Sequence, residues 1–201
     1  MWVEYRLEQT VIESVLAKSG NVDAAQTLAT MRGGRRAVET LVPFLEESDT
    51  DLRMQAASIL GYMGPAAQAA IPALIQALSD PSEDVRCCAA SALGRIGAPA
   101  SAAVPTLISK LEDESVYVRR WAAYGLGGIG PAAEPAIPAL ASLAAEETSF
   151  QLRRDVAWTL GKIGSDDTIV LSLLTELQGD ENAEVAAAAR DAMRQLGVES
   201  E

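Results

Sequence analysis

The 201-residue chain is 49% hydrophobic but only 4% aromatic, so its apolar content comes mainly from Ala, Leu, Val and Ile, which favours closely packed helices. Its formal net charge of −12, from 16 Lys and Arg against 28 Asp and Glu, argues against nucleic-acid binding, which depends on cations that meet phosphates. There is no histidine, and the adjacent Cys87 and Cys88 lack the spacing of a zinc site, so we expect neither a cofactor nor a metal.

The sequence also lacks the signals of membrane insertion or secretion. No apolar run reaches the roughly 18 residues of a membrane span. The first ten residues, MWVEYRLEQT, do not place basic residues before an apolar core, as a secretory signal does. We therefore expect a cytoplasmic chain without a membrane span.

Residues 1–34 are predicted to form a pair of N-terminal capping helices. An apolar stripe at helical spacing would cover the exposed end of a helical array, and it consists of Val3, Leu7, Val11 and Val15. The segment TLATM at 27–31 is a faint copy of a motif that recurs further along the chain.

From residue 35 the chain repeats itself. Related segments end at Gly64, Gly97, Gly130, Gly164 and Gly197, in steps of 33, 33, 34 and 33 residues. Each repeat contains two helical patterns, such as Ile71, Leu74, Ile75 and Leu78 in the first helix and Val85, Ala89, Leu93 and Ile96 in the second. The predicted repeats are 35–64, 65–97, 98–130, 131–164 and 165–197, with a tail at 198–201.

Local signals mark the predicted ends of these helices. Each closing glycine suits the left-handed position that follows a helix. Prolines recur near the start of the first helices, at Pro72, Pro105 and Pro138. N-cap residues are expected before the second helices, at Asp49, Ser82, Ser115 and Ser149. In the last repeat, Ala186 replaces a recurrent arginine and Arg190 and Arg194 replace small residues, which predicts a polar C-terminal cap.

The segment from Asp84 to Gly97, DVRCCAASALGRIG, and its close copies at 51–64 and 117–130 resemble the short HEAT-like repeats of the bilin-lyase type. The resemblance covers about residues 35–197. It implies an all-α fold, a right-handed α-solenoid of about five HEAT-like repeats behind the capping pair. It also implies that the second helices line a concave surface. Because such repeats serve many roles, the resemblance leaves the function open.

Two kinds of recurrent position are predicted to hold the repeats together. In the first four repeats, small residues stand three and seven positions before the closing glycine, where they would let the neighbouring repeat approach closely. Arginines form a column at Arg53, Arg86, Arg119 and Arg153, preceded by acidic residues at Glu47, Asp80, Asp113 and Glu147. We interpret these columns as a ladder of ion pairs between repeats, with an anion-binding row of arginines as the alternative.

The candidate site lies on the positions of the second helices that vary between repeats. Five of the nine aromatic residues fall on this one arc: Tyr62, Tyr117, Trp121, Tyr124 and Trp158. Charged residues on or beside the arc complete the predicted partner-binding face: Arg95, Arg120, Arg154, Asp155 and Lys162. Trp, Tyr and Arg are the usual hot-spot residues of interfaces. The alternative is that the rings fill gaps between second helices, beside Gly125 and Gly128.

Several functions remain open at this point. The first hypothesis is a non-catalytic scaffold that holds a protein or peptide partner on the concave face. The second is a bilin-lyase-like or chromophore-handling protein, in which the aromatics stack on a tetrapyrrole and Arg95, Arg120 or Arg154 pairs with its propionates. A third alternative is the removal of damaged DNA bases by Trp121, Trp158 and Asp155, which the negative net charge disfavours. The two cysteines could also carry thiol chemistry. Finally, the chain could be an artificial, consensus-derived binder.

Overall fold

The computed structural model describes residues 34–146, 149–164 and 167–198, so the predicted capping stripe lies outside the described residues. The described part is built from helices in consecutive pairs. The first helices of the pairs are α1 (Gly34–Leu41), α3 (Ile71–Ala77), α5 (Val104–Lys110), α7 (Ile137–Glu146) and α9 (Thr168–Gln178). The second helices are α2 (Thr50–Tyr62), α4 (Glu83–Ile96), α6 (Val116–Ile129), α8 (Phe150–Ile163) and α10 (Ala183–Gln195).

The pairs stack into the predicted right-handed α-solenoid. Each first helix packs on its own second helix, and each second helix packs along the next second helix. The buried side chains form one continuous core from Ala37 to Met193. The first helices contact one another less and are linked largely through short 3₁₀ turns. The array therefore curves towards the second helices, which line its concave side.

Small residues allow the second helices to approach one another closely, as predicted. A Cβ atom at Gly61 would lie 2.9 Å from Cα of Ala92 in the next repeat, and one at Gly161 would lie 2.9 Å from Cα of Ala192. Real Cβ atoms essentially never come so close to a neighbouring backbone. The glycines in this column are therefore required by the packing, and tight contact offsets their cost of about 1 kcal/mol relative to alanine in a helix.

The closing glycines have the predicted positive φ, but two of them differ from the predicted conformation. Gly164 is left-handed, with φ 74° and ψ 23°. Gly97 and Gly130 instead have ψ of −145° and −140°, in a region that glycine alone occupies readily. The reason is that the chain runs from them directly into 3₁₀ turns, over Ala98–Ala103 and Gly130–Ala136, which the sequence analysis did not predict. Pro72, Pro105 and Pro138 stand at the start of the first helices, as predicted.

All four predicted residues stand at the N-cap positions of the second helices, but only the Asp49 side chain makes a capping hydrogen bond. The Asp49 carboxylate accepts a hydrogen bond from the backbone N–H of Asp51 at 2.9 Å, whereas the Ser82, Ser115 and Ser149 side chains make no capping bond. Aspartates two residues earlier accept from the backbone instead: Asp80 from the N–H of Ser82 at 2.8 Å and Asp113 from that of Ser115 at 3.1 Å.

The same aspartates form the predicted ladder of ion pairs between repeats. Three of the four ladder arginines reach an aspartate 27 residues further on: Arg53 Nε lies 2.7 Å from Asp80, Arg86 Nη2 2.9 Å from Asp113 and Arg153 Nε 2.7 Å from Asp180. Arg53 also donates to the backbone carbonyl of Glu47 at 2.9 Å, so in this repeat the preceding acidic residue contributes its backbone. Burial alone would raise the pKa of Asp113, but hydrogen bonds from Arg86 and from Ser115 N–H outweigh it and the pKa is lowered.

The polar C-terminal cap is also confirmed within the described residues. Arg190 and Arg194 are exposed on α10, and Ala186 is buried where the other repeats have the ladder arginine. The last described second helix, α10, therefore presents a polar outer face.

We expect Asp113→Asn to destabilise the fold by about 3 kcal/mol, because removal of one partner of a buried ion pair leaves the other charge uncompensated. The side chain of Asp113 is only 7% exposed. Urea denaturation followed by circular dichroism measures the loss. The control is Glu114→Gln, since that carboxylate is 3.7 Å from the same Arg86 but 91% exposed, and its loss should cost less than about 1 kcal/mol. Equal losses in the two variants would contradict the ladder's structural role.

Candidate functional site

Seven of the ten predicted binding residues line one cavity of about 250 Å³, here called the aromatic cavity. Helix α4 contributes one of them, α6 contributes four and α8 contributes two. They are Arg95, Tyr117, Arg120, Trp121, Tyr124, Asp155 and Trp158. The cavity lies where three successive second helices meet, so three repeats build it together.

The aromatic rings form a floor and a rim. The Tyr124 ring lies parallel to that of Trp158, with centroids 5.4 Å apart and an angle of 4°. Trp121 meets Tyr124 edge-on, with centroids 5.3 Å apart. Tyr124 and Trp158 are half-buried, whereas Trp121 is 39% exposed and Tyr117 58% exposed. Tyr124 and Trp158 therefore fill the space between helices, whereas Trp121 and Tyr117 face solvent.

Gly127 makes room for the floor of the cavity. A Cβ atom there would lie 2.6 Å from Cζ3 of Trp158. The sequence-based expectation that Gly125 and Gly128 clear this space is wrong. A Cβ atom at Gly128 would lie 2.3 Å from the carbonyl oxygen of Gly94, and one at Gly125 would lie 2.9 Å from that of Ala90. These two glycines allow the backbone of α6 to approach that of α4.

A buried threonine that the sequence analysis did not single out fixes α8 on α6. The Thr159 hydroxyl lies 3.0 Å from the carbonyl oxygen of Ala123 in α6 and 2.8 Å from that of Asp155 in its own helix. Thr159 is fully buried and directly follows Trp158 in the chain. The sequence alone could have indicated Thr159 as an exception. The other repeats have an apolar residue or glycine at this position, five before the closing glycine: Ile59, Ala92, Gly125 and Ala192.

Asp155 is neutralised by two arginines. Its Oδ2 lies 2.7 Å from Nε of Arg120, and its Oδ1 lies 3.1 Å from Nη2 of Arg154. Arg154 also pairs with Glu184 of α10 at 2.8 Å. Both carboxylate oxygens of Asp155 are thus held by guanidinium groups, an arrangement that suits structural positioning better than proton transfer.

The other three predicted residues stand at the edges of the aromatic cavity. Tyr62 lies beneath Arg95, whose Cζ is 4.5 Å from the ring centroid. Lys162 lies over Trp158, with Nζ 5.8 Å from the ring centroid. Arg154 donates a hydrogen bond to the Asp155 carboxylate. Both ring contacts have the geometry of cation–π interactions.

A second cavity of about 300 Å³, here called the thiol cavity, adjoins the first and was not predicted from the sequence. Met54, Ser58, Tyr62, Cys87 and Cys88 contribute to its walls, and it shares Arg95 and Trp121 with the aromatic cavity. Burial raises the pKa of Cys87 to about 12 and also raises that of Cys88, which accepts a hydrogen bond from the Ser58 hydroxyl at 3.3 Å. Both thiols are therefore protonated at neutral pH, which disfavours thiolate chemistry and gives the cavity an uncharged wall.

Within the described ranges, no three or more Cys, Asp and Glu side chains are grouped so that they could hold a metal ion. None of the helices in those ranges combines the length and apolar character needed to cross a bilayer.

The stacked helix pairs and the continuous concave face define a helical-repeat protein of the α-solenoid class. The family profile of HEAT repeats matches residues 38–104 and 104–194, so the chain belongs to the HEAT-repeat family. Among curated proteins, none matches the chain in sequence.

Solved structures share the fold at low sequence identity. A designed armadillo repeat protein in complex with the peptide (KR)4 is 19% identical, with a TM-score of 0.70 over 95% of this chain and 90% of that one. The CpcE–CpcF complex of phycocyanin lyase from Nostoc sp. PCC7120 is 23% identical, with a TM-score of 0.64 over 94% and 77%. The HEAT-like repeat protein from the archaeon Thermococcus onnurineus NA1 is 19% identical, with a TM-score of 0.62 over 94% and 80%.

We expect Gly127→Ala to destabilise the fold by about 1–3 kcal/mol, because the added methyl group must displace Trp158 from its stack with Tyr124. Urea denaturation measures the loss, and near-ultraviolet circular dichroism reports the disturbed rings. A Trp158→Ala background is the control. There the added methyl group meets less obstruction, and the better helix propensity of alanine should make the substitution nearly neutral or stabilising. The same cost in both backgrounds would rule out steric conflict with Trp158.

Proposed function

We propose that this HEAT-repeat protein is a non-catalytic scaffold that binds a peptide segment of a protein partner on the concave face formed by α4, α6 and α8. The observation that carries the proposal is the exposure of Trp121 and Tyr117 above a floor of stacked, half-buried rings. A large aromatic side chain left in solvent beside a cavity is typical of an interface rather than of a core.

The floor favours binding because it is already ordered. Trp158 is wedged against Gly127 and stacked on Tyr124, and the buried Thr159 fixes the helix that carries it. Side chains that are immobile before a partner arrives do not lose rotamer freedom on binding, a cost of about 0.5–1.5 kcal/mol for each mobile side chain. The ordered floor therefore leaves more of the contact energy for affinity.

The chemistry of the cavity supports binding without catalysis. The carboxylate of the aromatic cavity, Asp155, is held by two guanidinium groups, and the chain contains no histidine. The thiols of the adjoining cavity are protonated. Among proteins of similar fold, one designed armadillo repeat protein is bound to a peptide and others were designed for modular peptide recognition.

We expect selection from a phage-displayed library of random dodecapeptides to enrich binders on the wild type but not on Trp121→Ala. Peptides selected on the wild type should bind Trp121→Ala at least about tenfold more weakly in fluorescence polarisation, because the largest exposed ring is missing.

The matched control for this experiment is Ile169→Ala. Ile169 is another exposed large hydrophobic residue, 49% exposed, but it lies on the first helix α9. Its removal should leave peptide binding unchanged. A library that yields no binders on the wild type, or binders that Trp121→Ala retains at full affinity, would refute the proposal.

A second candidate function is the handling of a tetrapyrrole. It is favoured by the flat ring surfaces beside the exposed arginine Arg95, and one protein of similar fold is a phycocyanin lyase complex. Bilin propionates would pair with Arg95. Addition of a free bilin should then shift its visible absorbance spectrum, with a smaller shift for Arg95→Gln. A spectrum unchanged by the wild-type protein would exclude this candidate.

A further inference from the structure

We infer that the peptide bound on this face is acidic, with a carboxylate held by Arg95 and an apolar side chain on each side of it, one in the aromatic cavity and one in the thiol cavity. The inference rests on the proposed function and adds the chemical class of the partner. Its basis is the position of Arg95 together with the way in which the other charges around the face are used.

Arg95 lies where the two cavities meet. It stands near the end of α4, and together with Trp121 it is shared by the walls of both cavities. The Tyr62 ring supports one face of the guanidinium at 4.5 Å but provides no acceptor for its N–H groups. In the part of the chain that the structure describes, no carboxylate oxygen lies within 4.0 Å of Arg95.

The other arginines near the face already have acidic partners. The ladder arginines Arg53, Arg86 and Arg153 pair with aspartates of the next repeat. Arg120 pairs with Asp155, and Arg154 pairs with both Asp155 and Glu184. Among these arginines, Arg95 is therefore the one at the centre of the face whose charge a partner can still pair with.

The nearest competing carboxylate along α4 is too distant to neutralise Arg95. Asp84 also lines the thiol cavity, but it precedes Arg95 by 11 residues in the same helix. At a rise of 1.5 Å per residue this is about 16 Å, beyond the Debye length of about 8 Å at physiological salt. Asp84, at the far end of the thiol cavity, thus leaves Arg95 at the shared wall without an acidic partner.

The size and chemistry of the cavities fit single apolar side chains beside that cation. Volumes of about 250 and 300 Å³ lie at the low end of small-molecule pockets. The aromatic cavity presents ring faces, and the thiol cavity presents Met54 and two protonated thiols. A guanidinium binds a carboxylate through two parallel hydrogen bonds, which an amide of the same shape cannot match in charge.

A basic peptide is the competing occupant, because the net charge of −12 attracts cations at long range. Salt screens that long-range attraction more strongly than it screens a direct contact at the shared wall. A lysine or arginine side chain placed there would meet Arg95 as a like charge. The local charge therefore favours an acidic residue at this point of the peptide.

The test starts from the tightest peptide selected on the wild type in the dodecapeptide library. That peptide is synthesised with its Glu and Asp residues and again with Gln and Asn in their places, and both forms are measured by fluorescence polarisation. Wild type should prefer the acidic form by about tenfold. Arg95→Gln should abolish this preference and change the affinity for the amide form by less than about twofold.

Arg190→Gln is the matched control, because it changes the net charge by the same amount at an exposed site on α10. It should keep the wild-type preference for the acidic form. The inference is overturned if the selected peptides carry no acidic residue, or if Arg95→Gln prefers the acidic form as strongly as the wild type does. In either case the proposed function stands as long as Trp121→Ala weakens binding, whereas a library without binders refutes the proposed function itself.

Discussion

The structure depends on how closely each second helix can approach the next one. At three interfaces a glycine of one helix meets a small residue of the next: Gly61 meets Ala92, Gly94 meets Gly125 and Gly161 meets Ala192. At the interface of α6 and α8, Gly127 meets the Trp158 ring, and Cα of Thr159 lies 3.3 Å from the position of a Cβ at Gly127. The aromatic cavity occurs at this interface because a large ring is wedged where the other repeats close on small residues.

Arginines occur both in the ion-pair ladder and on the proposed binding face, but those of the ladder are paired within the fold whereas Arg95 is exposed. Arg86 is buried, reaches Asp113 in the next repeat and donates to the backbone carbonyl of Asp80, so its charge is used within the fold. Arg95 is exposed, rests on Tyr62 and keeps its donors available. A chain with many more acidic than basic residues can thus present a local cation, because the acidic partners of its other central arginines are supplied within the array.

The sequence predicted what depends on helical periodicity, and it failed where the outcome depends on the spacing between helices. The arc that collects Trp121, Tyr124 and Trp158 follows from 3.6 residues per turn, and these three residues line one cavity. The glycine that accommodates the ring could not be identified in the same way, since Gly127 and Gly128 differ only in which neighbouring helix they face. The thiol cavity was missed for the same reason, because its walls come from residues of three repeats whose separation the sequence does not encode locally.

The packing of the helices and the shape of the aromatic cavity are therefore coupled most directly at one contact, Gly127 with Trp158. The ladder stabilises the repeats from a set of residues separate from the proposed binding face, so a change at Arg95 or Trp121 removes no ladder contact. A change at Trp158 would instead empty the space that Gly127 leaves open and remove the floor of the cavity. The exposed residues of the rim can then change without disturbing this packing, whereas the shape of the floor is fixed by the same packing that holds α6 against α8.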